Sequence, residues 1–285
     1  MQKPIGIFDS GIGGLTVVKQ LMRLLPGERL IYFGDTARIP YGNKSKRLIE
    51  QYAMEDARFL LQYDVKALVV ACNTASSLAM DILLKNLDIP VIGVVNPGAA
   101  AAVRLTGNNR IGVIGTIATI SSDAYRHEID RLRPEAQVVG QPCPLLVPLV
   151  EEGWLDDEIT RLTLKRYLHP LIEQQVDTLI LGCTHYPLLE QAIAETVGAN
   201  IRLIDSGKEA ARAVKEVLHT LNIENREINN EPNHFFVSDI PARFEEVGSR
   251  FLGQKLTHVE RVNFDRFLLA LGSDTFSNRV MKEEV

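Results

Sequence analysis

Two stretches decide how this chain reads: Ala67-Leu68-Val69-Val70-Ala71-Cys72 and Thr178-Leu179-Ile180-Leu181-Gly182-Cys183. Each is a short apolar run without strict alternation, and each ends on a cysteine. Continuous apolar runs suit strands of a parallel sheet, which are buried on both faces. The two stretches stand 111 residues apart, and other pairs accompany them. Ile5-Gly6-Ile7-Phe8-Asp9-Ser10 aligns with Ile111-Gly112-Val113-Ile114-Gly115-Thr116 at an offset of 106, and Leu30–Gly34 aligns with Ala136–Gly140 at the same offset. Val95-Asn96-Pro97-Gly98 aligns with Ile204-Asp205-Ser206-Gly207 at 109. Four matches in chain order at nearly constant spacing predict two similar halves, with a period too long for a solenoid.

Further strand-like runs lie at Val91–Val95, Val138–Val139 and Ile201–Ile204, and helix-length amphipathic stretches such as Lys46–Gln62 and Asp157–Gln174 lie between the runs. Alternation of this kind predicts an α/β chain with crossover connections. The expected fold is therefore two pseudo-symmetric α/β domains with mainly parallel sheets and the active site in the cleft between them. Beyond Gly207 the pattern predicts a helix over Lys208–Leu221, a polar surface loop over Asn222–Asn233 and an edge strand over His234–Ser238. A helix over Pro241–Phe251 opens on its proline, and the polar end, Ser273–Val285, is expected to fray.

At roughly 150 residues per domain, 285 residues make about two domains. Hydrophobic residues at 46% and charged residues at 24% exclude intrinsic disorder as the main state. Lys plus Arg number 31 against 36 Asp plus Glu, a net charge of −5, which lacks the basic footprint of a nucleic-acid binder. Three cysteines, Cys72, Cys143 and Cys183, make neither a disulfide framework nor a four-ligand zinc pattern. No basic segment followed by an apolar one opens the chain. No apolar run approaches the ~18 residues needed to span a bilayer. The expectation is a cytoplasmic protein with no membrane or nucleic-acid partner.

In parallel α/β sheets, ligand sites lie at the carboxyl ends of strands. A single cysteine there is most often an inert apolar side chain. Two at repeat-equivalent strand ends point to chemistry. Each is followed by residues expected to open a helix, Asn73-Thr74-Ala75-Ser76 and Thr184-His185-Tyr186-Pro187, and a helix N-terminus lowers a thiol's pKa from about 8.5. Two thiols facing each other across a pseudo-twofold axis suit proton transfer at both faces of one carbon, which inverts a stereocentre without a cofactor.

The Asp9-Ser10-Gly11-Ile12-Gly13-Gly14 turn follows the first strand. Its glycines would let backbone amides approach an anion at a helix N-terminus. Thr16 stands where a dinucleotide fingerprint needs its third glycine, and no Gly-Lys-Ser/Thr follows, so it is neither that fingerprint nor a P-loop. Asp9 is placed to polarise a nearby thiol. The loop Gly34–Ser45, with Pro40-Tyr41-Gly42, is of the kind that holds ligands. His185, two residues beyond Cys183, reads as an acid–base helper, because two further ligands for a metal are not evident nearby. Cys143 has no partner in the other half and reads as structural. Glu151 and Glu152 read by default as solvated charges at a helix end. A thiol hydrolase using Cys183 and His185, and a non-catalytic amino-acid-binding protein, stay open on the residues alone.

These motifs, Phe8-Asp9-Ser10-Gly11-Ile12-Gly13-Gly14, Pro40-Tyr41-Gly42, Ala71-Cys72-Asn73-Thr74-Ala75 and Gly182-Cys183-Thr184-His185-Tyr186-Pro187, resemble those of the glutamate racemase family. The resemblance spans Ile5 to about Gly207, and more loosely to about Gly253. It implies Cys72 as the base toward D-glutamate and Cys183 as the base toward L-glutamate, with Asp9 and His185 assisting their respective thiols and Glu151 as an acid near the second. It implies that Asp9, Ser10, Pro40, Tyr41, Gly42, Asn73, Thr74, Thr184 and His185 form the substrate site. It further implies D-glutamate supply for peptidoglycan, no pyridoxal phosphate or metal, and a homodimer. The domains it implies are Met1–Val95 with Ser206–Val285, and Asn96–Asp205. The residues alone do not select glutamate over aspartate, so aspartate racemization stays open beside it.

Overall fold

The apolar runs form ten strands: β1 Ile5–Asp9, β2 Leu30–Gly34, β3 Ala67–Val70, β4 Val91–Gly93, β5 Arg110–Gly115, β6 Gln137–Pro142, β7 Thr178–Gly182, β8 Arg202–Asp205, β9 His234–Val237 and β10 Val259–Arg261. In the computed structural model, residues 3–225, 227, 231–256 and 258–270 are described. The strands build two sheets in which every pairing is parallel. One has the order β10-β9-β2-β1-β3-β4, the other β6-β5-β7-β8. All residues of β1, β2, β3 and β7 are buried, as continuous apolar strands require.

The repeat is now visible as topology. Read in one direction, β4-β3-β1-β2 and β8-β7-β5-β6 are the same order, so β1 matches β5, β2 matches β6, β3 matches β7 and β4 matches β8. In each sheet the chain runs from its first strand outward one way, then returns to add the third strand on the other side. The carboxyl ends of β1 and β3, and of β5 and β7, therefore flank the point where strand order reverses, where such sheets leave a crevice. Ser10 and Cys72 stand at one crevice, Thr116 and Cys183 at the other.

Two connections join the sheets: the helix Val95–Leu105 after β4, and the helix Ser206–Thr220 after β8. The second is capped by Asp205, whose side chain accepts from the amides of Gly207 and Lys208. It packs on both Val95–Leu105 and the helix Leu15–Leu24, so one rod touches helices of both units. The helix Pro241–Leu252 also packs on Leu15–Leu24.

Three expectations change. His234–Val237 is not an edge strand, because β10 pairs outside it; Val259-Glu260-Arg261 is too short and too polar to show as a strand in sequence. The run Val91–Val95 stops at Gly93, and Val95 already opens a helix. No α-helix follows Cys183 directly: a 3-10 turn, Tyr186–Leu189, intervenes before the helix Glu190–Val197, with Pro187 in its first turn. The expected loop Asn222–Asn233 has neither helix nor strand among its described residues, and Ser273–Val285 lie outside the described residues. Among the described residues no helix is long and apolar enough to cross a membrane.

Candidate active site

Cys72 caps the helix Asn73–Leu78 with extended backbone at the end of β3. Its thiol lies 3.6 Å from Ser10 Oγ, toward which it donates. Asp9 ends β1 just beneath. Its Oδ2 accepts from the amide of Gly11 at 3.0 Å, while its Oδ1 is buried with no partner among the described residues. The turn's backbone amide is thus spent on Asp9 itself rather than on a ligand anion. Burial raises the Asp9 carboxyl; the His185 charge and the turn's amides oppose this. The helix N-terminus was expected to lower the Cys72 thiol, yet the thiol is pushed up to about 12. Burial does most of this and the Asp9 charge adds to it, outweighing the amide of Ala75 and the contacts of Ser10.

The Cys183 side is built differently. His185 Nδ1 stands 3.9 Å from Cys183 Sγ and 3.4 Å from Thr184 Oγ1, and its Nε2 stands 3.1 Å from Glu151 Oε1. Phe251 meets the ring edge-on at 5.0 Å. Burial opposes a charge on His185, but hydrogen bonding to Cys183 and Glu151 outweighs it and raises the imidazole to about 10. The same bond to His185 is the main cause that lowers Glu151. At neutral pH, His185 is then an imidazolium held between Glu151 and Cys183. Glu151 ends the helix Leu146–Glu151 and faces inward, so the default reading of both glutamates as solvated holds only for Glu152, which is 64% exposed in its side chain.

The two sides share one cavity of about 430 Å³. Ser10, Cys72, Asn73 and Thr74 line it from the six-stranded unit; Cys183, Thr184, His185 and Glu151 line it from the four-stranded unit. Pro40, Tyr41 and Gly42 complete the wall. Asp9 lies behind the wall, 1% exposed. The Tyr41 hydroxyl is turned away from any ligand: it bonds Asp35 Oδ2 at 2.5 Å and Asp56 Oδ2 at 3.0 Å, both buried carboxylates. Two glycines let the units meet. A Cβ on Gly13 would stand 2.1 Å from Thr184 Oγ1 and 2.6 Å from the His185 ring, and one on Gly42 would stand 2.8 Å from Thr116 Cβ. Gly13 therefore serves close approach of the two halves. Cys143 is buried outside the wall, donating to the Gln141 carbonyl at 3.4 Å, as a structural cysteine would.

Thr116 and Thr119 were not singled out in the sequence, though Thr116 is the repeat partner of Ser10. Their hydroxyls and that of Thr74 lie within 2.9 to 3.3 Å of one another. Ile117, Val147, Arg243 and Val247 also reach the cavity, from segments without any motif. Among the described residues no three His, Cys, Asp or Glu side chains group closely enough to hold a metal ion.

Fold and site together define a two-unit α/β protein with one thiol at the strand-order reversal of each unit. A family model described as Asp/Glu/hydantoin racemase matches residues 5–214, and the chain belongs to that family. It is 52% identical to a glutamate racemase of Geobacter metallireducens over 92% of this chain and 97% of the relative. It is 50% identical to one of Neisseria meningitidis over 92% and 97%. Among solved structures, a glutamate racemase of Francisella tularensis in complex with D-glutamate is similar with a TM-score of 0.87 at 42% identity, covering 93% of this chain and 99% of that one. One of Bacillus anthracis is similar with a TM-score of 0.88 at 40% identity, covering 92% and 97%. An aspartate racemase of Picrophilus torridus, 17% identical with a TM-score of 0.56, shares the fold.

Proposed function

We propose that this protein is an isomerase that interconverts L- and D-glutamate by proton transfer between Cα and two thiols. The observation that carries the mechanism is that repeat-equivalent cysteines, one from each sheet, line a single cavity. One thiolate removes the Cα proton, and the opposite thiol delivers a proton to the other face. The product leaves with inverted configuration, and the two thiols have exchanged protonation states. With Cys72 held as a thiol and an imidazolium beside Cys183, the resting protein has its acid on the Cys72 side. That arrangement suits L-glutamate, with Cys183 as base. In the reverse direction Cys72 gives up its proton, next to the Asp9 carboxyl.

The hydroxyls of Ser10, Thr74 and Thr184, on the cavity wall, suit the substrate carboxylates, and Asp9, behind the wall, acts through its charge on Cys72. Pro40, Tyr41 and Gly42 supply shape and backbone. His185 and Glu151 hold the charge beside Cys183. The two units divide at 1–95 with 206–285, and at 96–205. The same reading extends to a cytoplasmic homodimer that supplies D-glutamate for peptidoglycan and uses no resident cofactor or metal.

Circular dichroism of the protein given pure D-glutamate, with pure D-aspartate alongside, tests the substrate. Decay to zero with glutamate alone is the expected result; decay with aspartate alone moves the reading to aspartate. Cys183, His185 and Glu151 by themselves would also fit a thiol hydrolase. That chemistry has no use for Cys72, so full loss of turnover in Cys72→Ala separates the two.

A further inference from the structure

Asn73 follows Cys72 in the first turn of its helix, is 2% exposed and lines the cavity. Its side-chain amide has one oxygen acceptor and two N–H donors. One end meets Tyr125, on the helix Ala124–Leu132 of the four-stranded unit, with 2.6 Å between Tyr125 Oη and Asn73 Oδ1. That separation belongs to O–H···O bonds and is short for N–H···O. The amide oxygen, not its nitrogen, therefore faces the phenol, and Tyr125 donates. Ser206 Oγ stands 3.4 Å from the same Oδ1 and donates at 2.9 Å to the Leu181 carbonyl. The other end of the amide, Nδ2, is buried with no partner among the described residues. Burying such a donor unpaired is costly, and on a cavity wall it marks a place for a ligand acceptor.

Tyr125 is 3% exposed and does not line the cavity. Its ring is held by close backbone: a Cβ on Gly98 would stand 3.4 Å from Cε1, and one on Gly182 3.3 Å from Cε2. The phenol thus reaches Asn73 from a fixed platform, across the boundary between the units.

We propose that Tyr125 is a positioning residue: its hydroxyl, donated from the opposite unit, locks the Asn73 amide so that Nδ2 is offered to a carboxylate oxygen of the bound amino acid. The inference rests on the racemase reading and adds a residue to it. The donor is in place only where the two units meet, so approach of the units and substrate recognition share one hydrogen bond. Phenylalanine at this position keeps the ring and removes the donor. The amide is then free to turn its oxygen toward the substrate carboxylate and repel it.

The test compares Tyr125→Phe, Asn73→Ala and the double variant with the unaltered protein, reading KM and kcat for D-glutamate by circular dichroism and Kd for D-glutamate by calorimetry. Tyr125→Phe is expected to raise KM and Kd about tenfold while kcat changes less than threefold. In the Asn73→Ala background the same change is expected to add less than twofold. A KM and Kd within twofold of the unaltered protein would overturn the assignment. So would an equal penalty in both backgrounds, or a loss confined to kcat. If the unaltered protein binds D-glutamate without turning it over, the racemase reading fails, and the Kd pattern still decides the role of Tyr125.

Discussion

The two thiols occupy equivalent places in the repeat and sit in opposite electrical surroundings. Cys72 has a buried carboxyl beneath it, a neutral hydroxyl beside it and a pKa pushed up to about 12. Cys183 has an imidazolium, itself raised to about 10 and anchored on Glu151. The strand order repeats in the two sheets, while the turn after each cysteine and the side chains around it differ. The asymmetry puts a thiol of raised pKa beside a buried carboxyl on one side and a charged imidazole on the other.

The largest test removes either half. Cys72→Ala and Cys183→Ala are each expected to lower racemization by about 10³-fold, a typical scale for loss of a positioned acid or base. Circular dichroism of D-glutamate reads it, and near-normal rates in either variant would break the two-thiol account. Next, His185→Gln is expected to cost about 10²-fold and Glu151→Gln about tenfold. The latter should also move the alkaline limb of the pH–rate profile to lower pH, because the carboxylate that helps hold the imidazolium proton is gone. An unmoved limb would detach Glu151 from the Cys183 side.

Asp9→Asn sharpens the other half. It is expected to lower racemization about tenfold and yet to speed alkylation of Cys72, since a negative charge that disfavours its thiolate is removed. Peptide mass spectrometry after brief iodoacetamide treatment at pH 8 reads this. Slower alkylation would show that Asp9 acts on Cys72 in some way other than through charge. In the unaltered protein the same experiment should label Cys183 before Cys72.

A smaller effect concerns stability. The raised His185 pKa contributes stability that is fully present below its ordinary value of 6.5 and is lost as pH rises through about 10. The melting temperature of the unaltered protein should therefore fall by about 3 °C more than that of His185→Gln between pH 7 and 10. Parallel melting curves would remove the ion pair from the folded-state balance. Smallest of all, Ser10→Ala removes the 3.6 Å contact to Cys72 and one of three hydroxyls proposed for the substrate carboxylates, and is expected to slow turnover about threefold, read by the same dichroism assay.

Both thiols, the turn at Asp9 and the Cys183-x-His185 pair were legible because strand ends in a parallel sheet are marked by the end of an apolar run. The repeat predicted two similar halves, and the two sheets share the strand order β4-β3-β1-β2 and β8-β7-β5-β6. Less legible were residues whose role depends on distant partners. Glu151 carries no mark that separates it from Glu152; only the direction of a helix end turns one inward. Thr116 was within reach through its alignment with Ser10, but a lone threonine after a strand has many uses. Tyr125 and the β10 strand left no signal, since one works through a residue 52 positions away in sequence and the other is three residues long.

By itself, the chain determined that there would be two α/β halves and that each would deliver a cysteine to a strand end. Apolar periodicity and turn chemistry are local, and both are written in adjacent residues. Tertiary structure decided what each cysteine would be. A thiol's charge depends on burial and on the side chains within a few ångströms of it, and those come from segments as far apart as Glu151 and His185 or Asp9 and Cys72.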